Sequence, residues 1–181
     1  VKGIDIVFHA AALKHVDRCE LNPLETINVN ITGTKNIAKA AKKENIQRMI
    51  FISTDKAVNP IGVMGATKLL GEKLISAEAT HKSNTIFASV RFGNVFQTRG
   101  SILPRIEKQI SNGGPITLTN PEMKRFFMTK DDAINLIISA ATIAKGGETF
   151  VLKMPLIRLK DLFDSMKEVL ASKYGYKPSQ I

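Results

Sequence analysis

The chain has one cysteine, no tryptophan and only two tyrosines among 181 residues. A single thiol, Cys19, cannot close an internal disulfide and stands in no recognisable metal-ligand motif. Cys19 therefore reads as packing, and a reducing cytoplasmic setting is expected. The scarcity of stacking rings argues against single-strand nucleic-acid binding, and no nucleic-acid-binding motif accompanies the basic charge, so no nucleic-acid partner is expected. Apolar runs such as 133–144 are interrupted by polar residues and fall short of the roughly 18–20 residues a membrane span needs, so no membrane span is expected. No secretory signal opens the chain. No G-x-G-x-x-G turn occurs either, so a dinucleotide fold would need that half to lie elsewhere, or the fold is different. Val1 is not a start methionine, and Ile4 to Phe8 reads as a central buried strand that something precedes. The chain is expected to be a fragment.

What is present suits a globular domain: 44% hydrophobic residues in a length that allows a sizeable core. Twenty-six Lys and Arg against sixteen Asp and Glu leave +10, which favours anionic partners without naming one. Much of the excess, at Lys39, Lys42, Lys43 and Arg48, reads as a solvated face on or just after a helix.

Three apolar strands, Ile4 to Phe8, Met49 to Ser53 and Ile86 to Val90, alternate with long helical segments over Pro23 to Lys43 and Pro60 to His81. Alternation of this kind predicts βαβ crossovers and a parallel α/β sheet. Asn59 followed by Pro60 predicts a capped helix start at Pro60. After Arg91 the chain is broken by Gly93, Gly100, Pro104, Gly113, Gly114, Pro115 and Pro121, which predicts a substrate-covering region of short pieces. Thr129 to Asp132 fits a capping box opening a helix to about Ala144. Gly146-Gly147 ends it, Thr149 to Leu152 reads as a short strand, and Leu159 to Ser172 as an amphipathic helix.

Ligand chemistry in open α/β sheets collects beyond the carboxyl ends of the strands. Thr54, Asp55 and Lys56 follow such a strand and place an acid beside a base. Met64 and Lys68 share a helical face through their i,i+4 spacing.

The ordered set F-H-A-A-A-L-K-H-V at 8–16, N-V-N-I-T-G-T-K-N at 28–36, S-T-D-K at 53–56, M-G-A-T-K at 64–68 and R-F-G-N-V at 91–95 resembles the extended short-chain dehydrogenase/reductase superfamily. P-E-M-K-R-F-F-M-T at 121–129 and G-G-E-T-F-V-L-K-M-P at 146–155 are similar to its polysaccharide-biosynthesis branch, the UDP-N-acetylglucosamine 4,6-dehydratases. The resemblance implies the C-terminal part of a Rossmann-type doubly wound parallel sheet with a smaller substrate-binding region. It divides the chain into 1–95, carrying the cofactor-side half, and 96–181, mainly substrate-binding, with a returning Rossmann element near 130–152. It implies oxidation of a UDP-sugar at C4 with NADP (NAD not excluded), loss of water across C5 and C6, and return of the hydride to C6.

By position, the resemblance makes Lys56 the base at C5, Asp55 the acid for the departing hydroxyl, Thr54 a hydrogen-bonding group near C4, and Lys68 the holder of the nicotinamide ribose. Met64 stands where the superfamily carries its catalytic tyrosine. A thioether cannot accept a proton, so Asp55 or Lys56 is expected to take over at C4. Ala10, Ala11, Ala12, Asn28, Ser53, Phe92, Gly93 and Val95 are implied beside the cofactor, and Lys14, Asn94 and Arg125 beside the sugar and its diphosphate. Solvation alone would equally explain Lys14, and a surface ion pair Arg125. Neither His9 nor His15 is assigned a catalytic role.

Ordinary values near ~10.4 for Lys and ~3.9 for Asp must both move towards neutrality for acid-base work, so a closed, dry site around Lys56 is expected with substrate present. A UDP-sugar 4-epimerase and a non-catalytic nucleotide-binding scaffold are the alternatives. The long helices at 23–43 and 60–81 resemble those that pair subunits in the superfamily, so a homo-oligomer is expected.

Overall fold

The computed structural model describes residues 1–80, 83–96, 98 and 101–181. It divides into two units, one of Val1–Phe92 with Asp131–Leu152, the other of Gly93–Lys130 with Lys153–Ile181. His81 and Gly100, used above as a helix end and a chain break, lie outside the described residues.

In the first unit the strands β1 (Ile6–His9), β2 (Arg48–Thr54), β3 (Ile86–Phe92) and β6 (Thr149–Val151) form one sheet in the order β1-β2-β3-β6, every pairing parallel. The long apolar runs of β2 and β3 are what a sheet covered on both faces requires. Helices α1 (Val16–Leu21), α2 (Pro23–Ile27), α3 (Gly33–Lys43), α4 (Val63–Thr80) and α6 (Lys130–Ile143) make the connections. Their core joins Ala38, Ala41 and Ile75 to Met49, Phe51 and Phe87. Parallel register sets Ser53 beside Arg91 and Thr54 beside Phe92.

The second unit pairs β4 (Asn94–Val95) parallel with β5 (Lys124–Met128), which in turn pairs antiparallel with β7 (Leu156–Arg158). Helices α5 (Ile102–Ser111) and α7 (Leu159–Leu170) bring Ile106, Ile110, Leu159 and Phe163 against Phe127.

Several local expectations need correction. β1 begins two residues later than expected; it lies first in the order of the described sheet, with Ile6 and Phe8 exposed and only His9 buried in it. The helix expected over 23–43 is interrupted by a π turn at Asn28–Thr32. α4 begins at Val63 rather than Pro60, because Asn59 adopts a left-handed φ of 46° and is not a cap. The Val63 amide instead donates to Glu20 Oε1 of α1 at 2.6 Å, so a residue 43 positions away fixes the helix start. Pro104 does not break the chain: it lies in the first turn of α5, where a missing amide hydrogen costs no bond. Arg48 is the first residue of β2 and donates to the Ala144 carbonyl at 2.9 Å, while Lys42 pairs with Glu78 at 2.8 Å, so these two are not simply solvated.

No helix among the described residues is long and apolar enough to cross a membrane.

Candidate active site

β2 carries Ser53 and Thr54 to its carboxyl end, where Asp55–Ala57 turn in one short 3-10 segment. Thr54 is extended, and its hydroxyl accepts from the Lys56 amide. That hydroxyl donates to Asp55 Oδ1 at 2.9 Å, and Lys56 Nζ donates to the same oxygen at 2.9 Å. Three adjacent side chains are thus wired through one carboxylate oxygen. Asp55 is largely covered, but the Lys56 side chain is 37% exposed.

Of the two lysines, Lys68 is the more deeply buried. Lys68 is 6% exposed, donates to the Ile52 carbonyl at 2.8 Å and stands 4.7 Å from the centre of the Phe51 ring. Burial lowers its pKa to about 8, against the opposing pull of the Glu72 carboxylate. Burial also lowers the pKa of His9, with the Lys68 charge adding to the effect. Thr34 spends its hydroxyl hydrogen on the Asn30 carbonyl, so the 2.9 Å contact between His9 Nε2 and Thr34 Oγ1 requires the proton on Nε2.

Close packing sets the helix against the turn. A Cβ at Gly65 would collide with the Lys56 carbonyl oxygen and sit 3.1 Å from Pro60 Cβ, while one at Gly71 would sit 2.6 Å from the Phe51 ring. Both positions require glycine, so the M-G-A-T-K segment can lie directly on the Asp55-Lys56 turn. Met64 is 5% exposed, and Thr67 donates to its carbonyl at 2.9 Å.

The structure brings Ser53, Thr54, Asp55, Lys56, Met64 and Lys68 together in the first unit. Ala10 and Ala11, exposed, and Ala12, half-buried, follow β1 there, with an exposed Lys14 beyond them. Asn28 is exposed at the start of the π turn. Its neighbour Asn30, passed over in the sequence, is the one buried and engaged. Asn30 Oδ1 accepts from the Leu13 amide at 2.8 Å, and its Nδ2 donates to the Leu13 carbonyl and Thr67 Oγ1, each at 3.0 Å. One amide therefore ties the loop after β1 to the helix bearing Lys68.

Arg91 and Phe92 lie within β3 rather than after it, and Arg91 turns to Glu72 instead of towards a ligand. Gly93, Asn94, Val95 and Arg125 belong to the second unit. A Cβ at Gly93 would sit 2.6 Å from Met154 Sδ and 2.9 Å from the Phe126 carbonyl oxygen. The Asn94 amide donates to the Phe126 carbonyl at 2.9 Å, and exposed Arg125 donates to the Lys124 carbonyl at 3.0 Å. Among the described residues no His, Cys, Asp and Glu cluster could hold a metal ion.

Two features suit a polyhydroxyl cofactor. Ser53 Oγ is buried with no hydrogen-bond partner, and Lys68, with three ammonium hydrogens, has Ile52 as its one hydrogen-bond acceptor among the described residues. A ribose offers hydroxyls to both.

Residues 1–180 match the family described as polysaccharide biosynthesis protein. The chain belongs to that family. A Methanocaldococcus jannaschii relative named an uncharacterized membrane protein is 53% identical over the whole of this chain and 55% of its own length. A Rickettsia canadensis UDP-glucose 4-epimerase is 42% identical over 94% of this chain and 51% of its own. This member of the polysaccharide biosynthesis family thus spans about half the length of those relatives. The crystal structure of Pen from Bacillus thuringiensis matches with a TM-score of 0.93 and 47% identity, covering 97% of this chain and 54% of that one. DesIV of Streptomyces venezuelae, a dTDP-glucose 4,6-dehydratase solved with NAD, matches with a TM-score of 0.84 at 20% identity, covering 99% of this chain and 60% of that one. Its likeness fixes the fold: the parallel sheet is the C-terminal part of a Rossmann-type doubly wound sheet.

Proposed function

We propose that this member of the polysaccharide biosynthesis family serves a nucleotide-sugar lyase, a UDP-N-acetylglucosamine 4,6-dehydratase that forms a UDP-4-keto-6-deoxy-hexosamine. The observation that carries the reading is the Thr54-Asp55-Lys56 cluster, hydrogen-bonded through one carboxylate oxygen at the end of β2. Elimination needs an acid and a base working together. Passing one proton across the 2.9 Å Lys56–Asp55 contact converts ammonium and carboxylate into amine and carboxylic acid with no net charge change. The Lys56 amine then removes the C5 proton of the 4-keto sugar. The Asp55 acid protonates the C6 hydroxyl, which leaves as water. Thr54 hydrogen-bonds at the C4 oxygen. Because the Met64 thioether accepts no proton, Asp55 or Lys56 also takes the C4 hydroxyl proton, directly or through Thr54. The pair releases one proton to solvent through the exposed part of Lys56 before the C5 step, and the Lys56 ammonium returns a proton to C5 when hydride reaches C6.

A bound nicotinamide dinucleotide supplies the hydride acceptor at C4 and the donor at C6. NADP is our assignment, with NAD the alternative. Ser53 and Lys68 would hold its ribose, and Ala10, Ala11, Ala12, Asn28, Phe92, Gly93 and Val95 would line it. Lys14 and Asn94 would meet the sugar, and the Arg125 guanidinium suits a diphosphate through paired, charge-assisted hydrogen bonds. Residues 1–95 would serve the cofactor and 96–181 mainly the sugar, with 130–152 returning to the first part. Leu24 and Leu70, both strongly exposed, support pairing of subunits through the helices at 23–43 and 63–80. A cytoplasmic setting fits a nucleotide-sugar substrate.

A second reading is a UDP-sugar 4-epimerase, which the name of the Rickettsia relative favours. An epimerase needs no base at C5 but depends on the proton acceptor that Met64 lacks. Incubating the full-length gene product with NADP and UDP-N-acetylglucosamine separates the readings by product mass. A product lighter by one water is expected; an isomer of unchanged mass supports the epimerase, and no turnover supports a non-catalytic scaffold.

A further inference from the structure

Glu72 is 5% exposed inside α4, one turn beyond Lys68, and does no work in the chemistry above. Its two oxygens accept from Arg91 Nε at 2.9 Å and Arg91 Nη2 at 2.6 Å, a bidentate pair from helix to strand. Arg91 keeps 25% of its side chain exposed, but burying the Glu72 carboxylate is a poor way to gain stability, since desolvation offsets much of the attraction to Arg91. The pair's position suggests another use. The i,i+4 spacing places Glu72 beside Lys68 on one helical face, yet Lys68 Nζ hydrogen-bonds to the Ile52 carbonyl. Arg91 occupies both Glu72 oxygens, so the carboxylate is held in the field of Lys68 without capturing it.

We infer that Glu72, clamped by Arg91, is the positioning residue that keeps the buried Lys68 an ammonium and leaves it turned towards the end of β2. The groups around Lys68 define the balance. Its own helix contributes Glu72, β1 contributes His9, β2 contributes the Phe51 ring and the Ile52 carbonyl, β3 contributes Arg91 already engaged with Glu72, and the 3-10 turn packed on α4 contributes Asp55 and Lys56, already paired with each other. With Asp55 committed to Lys56 and Thr54, Glu72 is the anion whose charge acts on Lys68. With it, a desolvated amine stays charged near neutrality; with it but without Arg91, the carboxylate is released to bond Lys68 directly. Removing either partner therefore moves Lys68 in opposite senses. The role of that ammonium towards a cofactor ribose rests on the proposed nicotinamide site, whereas the control of its charge does not.

Carbon-13 NMR of lysine Cε signals, followed against pH in cofactor-free protein, reads the charge directly, with the Lys68 signal identified by its loss in Lys68→Met. The wild type is expected to titrate at about 8. Glu72→Gln should lower the midpoint by about one pH unit, Glu72→Asp should keep it near the wild-type value, and Arg91→Met should raise it. An unmoved midpoint in folded Glu72→Gln overturns the inference. If that variant does not fold, an Arg91→Met midpoint that stays or falls overturns it equally. NADP affinity measured by calorimetry over the same pH range forms the second arm, and Glu72→Gln should lose affinity at a pH lower by the same interval. A midpoint that moves while affinity does not would leave Glu72's control of Lys68 standing and remove the nicotinamide site.

Discussion

The two units are built from different materials. The polar and charged residues buried as a whole among the described residues, including His9, Asn30, Thr34, Ser53, Lys68 and Glu72, belong to the first unit, while the second hides the single hydroxyl of the half-buried Ser101. The second unit closes on Ile106, Ile110, Phe127, Leu159 and Phe163, with Phe96 stacked on Phe127 at 4.8 Å, and keeps Arg125 at its surface. Buried polar groups cost free energy unless paired, so a core that contains them must be wired with hydrogen bonds, whereas an apolar core need only be filled. The wiring surrounds the end of β2, which is where the proposed chemistry would demand fixed donors and a controlled charge. Filling suffices for the second unit.

The sharpest way to break this contrast is to remove function without touching either core. Lys56→Ala should lower turnover about 10²- to 10⁴-fold, the usual range for a lost acid-base group, while its circular dichroism and melting curve stay those of the wild type. A melting point that collapses in this variant would make Lys56 a structural residue. Next in size, Ile110→Ala in the apolar core should cost about 2–5 kcal/mol in urea unfolding, since it opens a cavity at a fully buried side chain. Asn30→Leu, similar in volume, should cost about 3 kcal/mol by the same measurement, because it strands the Leu13 amide and carbonyl as well as Thr67. If Asn30→Leu were neutral, the buried polar wiring would be ornamental and the contrast between the units would fail.

A pH-dependent effect is smaller and carries a definite sign. Lys68 titrates at about 8 in the folded chain against 10.5 as a free side chain, so the folded state binds fewer protons between those values. Confining the ammonium costs about 3 kcal/mol below pH 8, and that cost is relieved as pH rises towards 10.5. Lys68→Met should therefore be more stable than the wild type below pH 8, by about 2 kcal/mol once about 1 kcal/mol is subtracted for the freed Ile52 carbonyl. Its advantage should shrink and reverse towards the alkaline end. An advantage independent of pH would mean that packing, not charge, sets the difference. Smallest of all, Arg158→Ala should leave the urea unfolding midpoint indistinguishable from the wild type, because its ion pairs with Asp161 and Glu122 are exposed to solvent.

What could be read in the sequence was local. Asp55 and Lys56 adjoin in the chain, Met64 and Lys68 lie one turn apart, and the apolar runs of β2 and β3 announce buried parallel strands. What escaped was non-local. Asn30 meets Leu13 across 17 positions, Arg91 meets Glu72 across 19, and Glu20 fixes the start of α4 across 43. Asn28 and Asn30 look alike in N-V-N-I-T-G-T until the π turn directs one outwards and the other into the core. Asn59-Pro60 satisfies the local rule for a helix start, yet the left-handed backbone at Asn59 and the carboxylate of Glu20 move that start to Val63. The helix α5 was hidden because Pro104 reads as a breaker unless it is known to occupy a first turn.

Deuterium at sugar C5 tests the role of Lys56 most directly. The partly exposed Lys56 amine exchanges its hydrogens with solvent, so under the proposed mechanism a proton taken from C5 would be replaced by a solvent deuteron before carbon is reprotonated. Run in deuterated water with UDP-N-acetylglucosamine, the wild-type enzyme should give a 4-keto-6-deoxy product carrying one deuterium at C5, and Lys56→Ala should form neither the product nor C5-deuterated substrate. C5 deuteration by Lys56→Ala at the wild-type rate would place the base elsewhere and remove the Asp55–Lys56 pair from the elimination.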